Sequence, residues 1–236
     1  MERRFFVEKI GQQAVLAGDE FSHAKNVLRL GVGDELVLFD GGGKEYTAVV
    51  AAIGKREMVC SVLGEKISDK EPKTQVRLLI GALKGDKTEL VVQKATELGA
   101  SSVGVFSSRY CAAYMNENKL ARLQKVAVEA AKQCGRASVP QVEYFESFAK
   151  ALASCAGYRN KLFACEFAQK SEADLAAIAG GTALIVGSEG GFTREEAEEA
   201  RAAGFALLTL GRRILRAETA AVALTAVAMF ALGELR

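Results

Sequence analysis

The sequence has one histidine, His23, in 236 residues, no tryptophan and only two prolines. Its five cysteines (Cys60, Cys111, Cys134, Cys155, Cys165) are scattered, odd in number and never spaced C-x-x-C. A zinc site is hard to build from so few imidazoles and no clustered thiols, so we expect no metal and reduced thiols packed as small hydrophobes. Neither sign of charge dominates: 31 lysines and arginines meet 29 acids, a net charge of +2. There is thus no chain-wide signal for nucleic acid, though a local patch is not excluded. Long apolar runs are missing as well. The longest, Thr219 to Leu232, falls short of the roughly 20 residues a membrane span needs. It reads as a helix buried in a core or a subunit interface. Met1 to Glu8 lacks the apolar core of a signal peptide. We therefore expect a cytoplasmic protein with no membrane partner.

Half of the residues are hydrophobic and a quarter charged, the composition of a folded chain. Residues 1 to 70 look β-rich. Phe5 to Val7, Glu35 to Phe39, Tyr46 to Ala52 and Met58 to Leu63 are short β-branched and aromatic runs separated by glycine-bearing turns. Between them Phe21, Ala24, Val27 and Leu28 recur at helical spacing, leaving Lys25, Asn26 and Arg29 toward solvent. Short strands with one helix predict a compact barrel. The polar stretch Ile67 to Thr74, which carries Pro72, reads as a linker.

From Gln75 the rhythm changes to alternating strands and helices. The expected strands are Val76 to Ala82, Val103 to Phe106, Lys161 to Cys165, Ala183 to Val186 and Ala206 to Leu210. The expected helices start at Asp86, as N-cap of a variant capping box, at Leu120, at Thr193 and near Ala217. Such alternation predicts an α/β domain over residues 73 to 236 with a mainly parallel sheet.

Two strand ends in this second half deliver glycine-bearing loops, Gly187-Ser188-Glu189-Gly190-Gly191 and Gly211-Arg212-Arg213-Ile214-Leu215-Arg216. The first is neither a P-loop nor a dinucleotide fingerprint, and Ser188 follows the first glycine too closely for a nucleophile elbow. What remains is a pair of loops where a ligand approaches backbone groups. With Ile214 and Leu215 as an apolar wall, they suit a nucleoside-like ligand.

Val186 to Phe192, Leu210-Gly211 and Ile214 to Ala220 together resemble the SPOUT class of methyltransferases. More narrowly, the chain resembles the ribosomal RNA small subunit methyltransferase E family. Lys84 to Lys87 followed by Gln93 to Gly99, Gln133 to Arg136, and His23 with Val27 to Arg29 extend the match. One departure is Ser188, where many members carry proline. The resemblance implies a C-terminal SPOUT-type α/β trefoil knot and a small N-terminal PUA-like β-barrel over residues 1 to 70 that helps bind RNA. It implies S-adenosylmethionine as cofactor, N3 of a specific uridine in 16S rRNA as acceptor, the 30S ribosomal subunit as partner, and a homodimer.

The cofactor residues it implies are Val186, Gly187, Glu189, Gly190 and Gly191 from the first loop. From the second come Leu210, Gly211, Ile214, Leu215 and Arg216, with adenine against Ile214 and Leu215. Uridine N3 must lose a proton before it attacks. Glu189 and Glu218 are candidate bases, and Arg216 and Arg136 candidate stabilisers of the uridine anion, with Arg109 a further one. RNA contacts are expected at Arg3, Arg4, His23, Lys25 and Arg29. Two alternatives stay open: an RNA-binding protein that keeps the fold without activity, and a SPOUT enzyme with another RNA target.

Overall fold

The computed structural model describes residues 3–168 and 170–235. It divides into two compact units, Met1–Glu71 with Ala131–Val139, and Pro72–Ala130 with Pro140–Arg236. Nothing in the sequence periodicity sets 131–139 apart, because it begins inside a continuous helical pattern.

The first unit holds a five-stranded sheet. Its strands are β1 (Arg4–Phe6), β2 (Gln13–Ala17), β3 (Glu35–Phe39), β4 (Lys44–Ile53) and β5 (Glu57–Ile67), in the order β1-β3-β4-β5-β2. β1 runs parallel to β3, and the other pairs are antiparallel. Register shifts at Thr47/Ala48 and Val50/Ala52 interrupt the long β4–β5 ladder. Such bulges increase twist and bend a strand, and here they help curl the sheet around Phe5, Leu16, Leu38 and Met58, all fully buried.

The helix in this unit departs from the expected stripe. One turn of α-helix, α1 (Gly18–Ser22), opens into a π-helix over His23–Val27, closed by Leu28 N donating to His23 O at 3.0 Å. Phe21 and Ala24 stay buried, but the wider turn carries Val27 off the buried stripe, and it is exposed.

The second unit is a six-stranded, wholly parallel sheet. Its strands are β6 (Val76–Gly81), β7 (Ser102–Phe106), β8 (Gln141–Phe145), β9 (Asn160–Ala164), β10 (Thr182–Val186) and β11 (Ala206–Leu208). They lie in the order β11-β9-β10-β6-β7-β8. β10, Thr-Ala-Leu-Ile-Val, is buried at every position, as expected of a strand covered on both faces. The helices are α2 (Lys87–Glu97), α3 (Glu117–Cys134), α4 (Phe148–Ala153), α5 (Arg194–Ala202) and α6 (Ala217–Ala231). The parallel sheet and its helices agree with the expected α/β domain, and the curled first sheet with the expected barrel-like module.

Two cap expectations part company. Thr193 forms the full capping box with Glu196 at the start of α5. Asp86 makes no side-chain cap on α2. Instead Thr88 Oγ1 accepts from Leu83 N at 3.0 Å, tying the turn before α2 to the helix. Among the described residues no helix is long and apolar enough to cross a membrane. α6 buries Ala221, Leu224, Ala228 and Met229, while Val227 and Phe230 are exposed.

Candidate active site

In the second unit three neighbouring strands, β11, β9 and β10, end side by side. The segments leaving their carboxyl ends enclose a cavity of about 930 Å³. Ligands of open α/β sheets sit beyond carboxyl strand ends, and this volume is that of a small-molecule pocket. All ten residues expected to bind cofactor line it, as do Glu218 and, between the two loops, Cys165 and Glu166 from the end of β9.

The first loop is held from behind. Phe192, 2% exposed, packs its ring 4.4 Å from that of Phe163 and 5.2 Å from that of Phe148. Gly190 lies against Tyr110: a Cβ there would stand 2.6 Å from both the Cβ and the carbonyl oxygen of Tyr110. Gly191 has φ +68°, and a Cβ on it would collide with the Glu166 carboxylate, whose Oε1 accepts from Phe192 N at 3.3 Å. The glycines are therefore demanded by packing behind the loop as well as by access to the cavity in front.

Polar groups converge at one side. Glu189 Oε1 accepts from Lys84 N and from Lys87 Nζ, each at 3.1 Å. Burial alone would raise the Glu189 carboxyl. Its own backbone N–H, Lys87 and Lys84 N outweigh burial and hold it below the usual carboxylate value. Lys87 Nζ also stands 4.0 Å from Glu218 Oε1. Glu218 Oε2 and the Ser188 hydroxyl are buried without a hydrogen-bond partner among the described residues. Buried polar atoms are seldom left so, and both belong to residues of the cavity wall. A ligand carrying polar groups would satisfy them.

Cys165, also in the wall, is pushed up to about 11 by burial. A thiol so protonated is no nucleophile at neutral pH. All five cysteines are free, and no group of residues suited to a metal ion occurs among the described residues.

Three expected placements need correction. Ile214 borders the cavity but is 98% exposed, so its side chain stands in solvent; half-buried Leu215 is left to form the apolar wall. Arg136 is not among the residues lining the cavity. It is 5% exposed within the first unit, with Nη2 and Nε at 3.0 and 3.1 Å from Glu71 Oε2. A guanidinium so committed has structural work in the first unit. Arg4 is likewise buried, with Nη1 2.9 Å from Glu45 Oε1, and leaves the expected RNA-facing set.

The remaining members of that set keep to the first unit. Arg3 is exposed and paired with Asp34 at 3.2 Å. Lys25 is exposed, its ammonium 5.1 Å from the Phe21 ring centre. His23 sits half-buried beside Phe5, and Arg29 is exposed with φ +53°, a rare conformation for a side-chain-bearing residue. Arg109 borders a second, polar pocket with Glu195 and Glu199. Lys87 and Glu166 are the site residues for which the sequence implied no role. Only the fold brings the start of α2 and the end of β9 against loops so distant in the chain.

Residues 69–229 match the family model described as RNA methyltransferase domain, and residues 16–63 that described as RNA methyltransferase PUA domain. The chain is 30% identical to a ribosomal RNA small subunit methyltransferase E of Bacillus subtilis, covering 92% of both chains. It is 34% identical to one of Rickettsia conorii, covering 90% of this chain and 87% of that one. Among solved structures it is similar to a Neisseria gonorrhoeae ribosomal RNA small subunit methyltransferase E bound to S-adenosylmethionine. That match has TM-score 0.88 and 30% identity and covers 98% of each chain. A Legionella pneumophila putative methyltransferase in complex with the same cofactor matches with TM-score 0.87 and 28% identity over 98% of each.

Proposed function

The chain belongs to the ribosomal RNA small subunit methyltransferase E family, and from that membership we infer that it is an S-adenosylmethionine-dependent enzyme methylating N3 of a uridine in 16S rRNA of the small ribosomal subunit. The observation that carries the reading is the cavity at three strand ends. It has glycines admitting a ligand to backbone groups, and two buried polar atoms, Ser188 Oγ and Glu218 Oε2, left unpaired.

These residues fit S-adenosylmethionine. Leu215 and the backbone of Leu210 and Gly211 would hold adenine. Gly187, Gly190 and Gly191 would admit the ribose and methionine portions, with Val186 beneath. The bound cofactor supplies a methyl group already activated by its sulfonium. The protein's task is then to align the acceptor and remove the N3 proton.

Of the two candidate bases Glu218 is the better placed. Glu189 is saturated by Lys84 and Lys87 and held ionised, which suits a structural or ligand-holding carboxylate. Glu218 keeps one oxygen unpaired. The N3 proton passes to Glu218 Oε2 and then to water. Arg216, exposed and immediately before α6, steadies the anion left behind.

The enzyme works as a homodimer in the cytoplasm. The exposed apolar side chains of α6, Val227 and Phe230, support pairing with a second copy. The first unit contributes RNA contacts through Arg3, His23, Lys25 and Arg29. The deciding experiment incubates the protein with labelled S-adenosylmethionine and 30S subunits, or naked 16S rRNA, lacking the modification. Label at N3 of one uridine is expected; label on another base would overturn the assignment. Glu218→Gln should lower turnover by about 10²–10⁴-fold, and an equal loss in Glu189→Gln with none in Glu218→Gln would reverse the choice of base.

A further inference from the structure

We propose that the loop Gly211–Arg216 is a surface for the substrate RNA, in which Arg212 and Arg213 hold backbone phosphates and Ile214 wedges against a base beside the acceptor. This deepens the reading above and rests on the substrate being RNA.

Three arginines fall within five residues of this loop, and all three are exposed. No carboxylate among the described residues is paired with any of them. Two exposed arginines elsewhere in the same unit are paired, Arg122 with Glu89 and Arg201 with Glu172 and Glu198, whereas Arg109, Arg159 and Arg194 stand singly; what sets this loop apart is three such arginines within five residues. Of the acids in the cavity wall, Glu189 is paired with Lys87, Glu166 accepts from Phe192 N, and Glu218, with Oε1 4.0 Å from Lys87 Nζ, is paired with none of the three arginines. The loop therefore presents an unneutralised triple positive charge at the rim of the cavity. A polyanion relieves that self-repulsion, and phosphate contacts are the general means by which proteins fix their register on nucleic acid.

Ile214 supplies the second element. Between Arg213 and Leu215, it is the most exposed large hydrophobic residue among the described residues, at 98%. An exposed apolar side chain directly after two arginines matches a nucleic-acid strand, where base faces alternate with phosphates. Isoleucine is among the side chains that proteins insert between base steps to unstack them. An enzyme acting on uridine N3 needs this, because that atom lies on the pairing edge and must be brought clear of its neighbours.

The test uses the full chain and naked 16S rRNA lacking the modification. Binding is measured across a salt series for the wild type and Arg212→Ala/Arg213→Ala, with calorimetry for S-adenosylmethionine as a parallel readout. Each phosphate contact contributes about 0.7–0.9 to the slope of log affinity against log salt, so the double variant should lose about 1.5 of slope. Cofactor affinity should be unchanged. An unchanged slope overturns the proposal. A smaller sedimenting particle with an unchanged slope overturns it too, making the loop an interface between copies of the chain. For the wedge, a fluorescent 2-aminopurine is placed next to the acceptor in an rRNA fragment. Its emission should rise on binding the wild type and not on binding Ile214→Ala; an equal rise with both refutes it. If the wild type binds no S-adenosylmethionine, the enzyme reading itself fails. If it methylates rRNA while the slopes coincide, only the loop proposal falls.

Discussion

Adding one methyl group at Gly190 should damage the cofactor site from behind. The added carbon would stand 2.6 Å from Tyr110 Cβ and the Tyr110 carbonyl oxygen, whereas ordinary contact begins at 3.4 Å. The loops must therefore part by about 0.8 Å, the difference of those two distances. Neither obstacle is the free end of a flexible side chain, so the backbone of one loop has to move. Overpacking of this kind costs about 1–3 kcal/mol. In a chain of this size each kcal/mol lowers Tm by about 2–4 °C, so Gly190→Ala should melt about 2–12 °C lower. A shift near 1 Å in a positioning loop costs up to about 10²-fold in rate, and S-adenosylmethionine affinity should fall along with turnover. Scanning calorimetry and titration with S-adenosylmethionine read both effects. Gly64→Ala is the control, since a Cβ there meets nothing within 4 Å. If Gly190→Ala kept the wild-type Tm and cofactor affinity, the packing argument for this glycine would be wrong.

Lys87→Met removes a hydrogen bond that holds the Glu189 carboxyl down, so the acid limb of S-adenosylmethionine binding should move to higher pH, with Lys87→Arg restoring most of it; a limb that stays put would refute the coupling. In the first unit, burial would raise Glu45, but Lys66 and Arg4 hold it below its ordinary 4.5. A depressed carboxyl contributes stability that is complete above its unfolded value and lost as pH falls through the folded one, so Glu45→Gln should flatten acid unfolding below about pH 4.5. Arg4→Met leaves Glu45 with Lys66 and the Ser68 hydroxyl as partners, so in denaturant titration it should destabilise by less than the about 3–5 kcal/mol that stranding a buried charge costs. Thr193→Ala, which opens the α5 capping box, should lose about 1 kcal/mol by the same titration. Because burial pushes Cys60 and Cys165 up to about 11, half-buried Cys111 and Cys134 should react first with a thiol reagent at pH 8; one common rate for all five would contradict the burial.

Much of the α/β unit was legible because its strands are buried on both faces and read as unbroken apolar runs, β10 most plainly. The strands that escaped notice have weaker patterns. β2 alternates but exposes Val15, and β8 follows Pro140 with four of its five residues only partly buried or exposed. The short α4 has too few residues to show a period. The ligand loops were legible through their glycines, whose need is local. The partners of those loops were not, because Lys87, Tyr110 and Glu166 reach them only through the strand order. Ile214 differs for a related reason: an apolar residue in a loop suits a pocket wall and a protruding side chain equally, and one-dimensional pattern does not distinguish the two. Arg4 and Arg136 show the converse, charged residues that the fold takes inside because Glu45 and Glu71 await them.

The strand order also bears on how the protein is made. β10 inserts between β9 and β6, pairing Thr182 with Val76 on one side and with Asn160 on the other. The last wall of the cavity comes from the segment after β11. Contacts so distant in the chain form slowly. A nascent chain leaving the ribosome has no cofactor pocket until residues up to about Ala220 have emerged and been drawn into place. Cofactor capture therefore marks the end of folding, and S-adenosylmethionine added during refolding should stabilise the finished product without speeding the early steps.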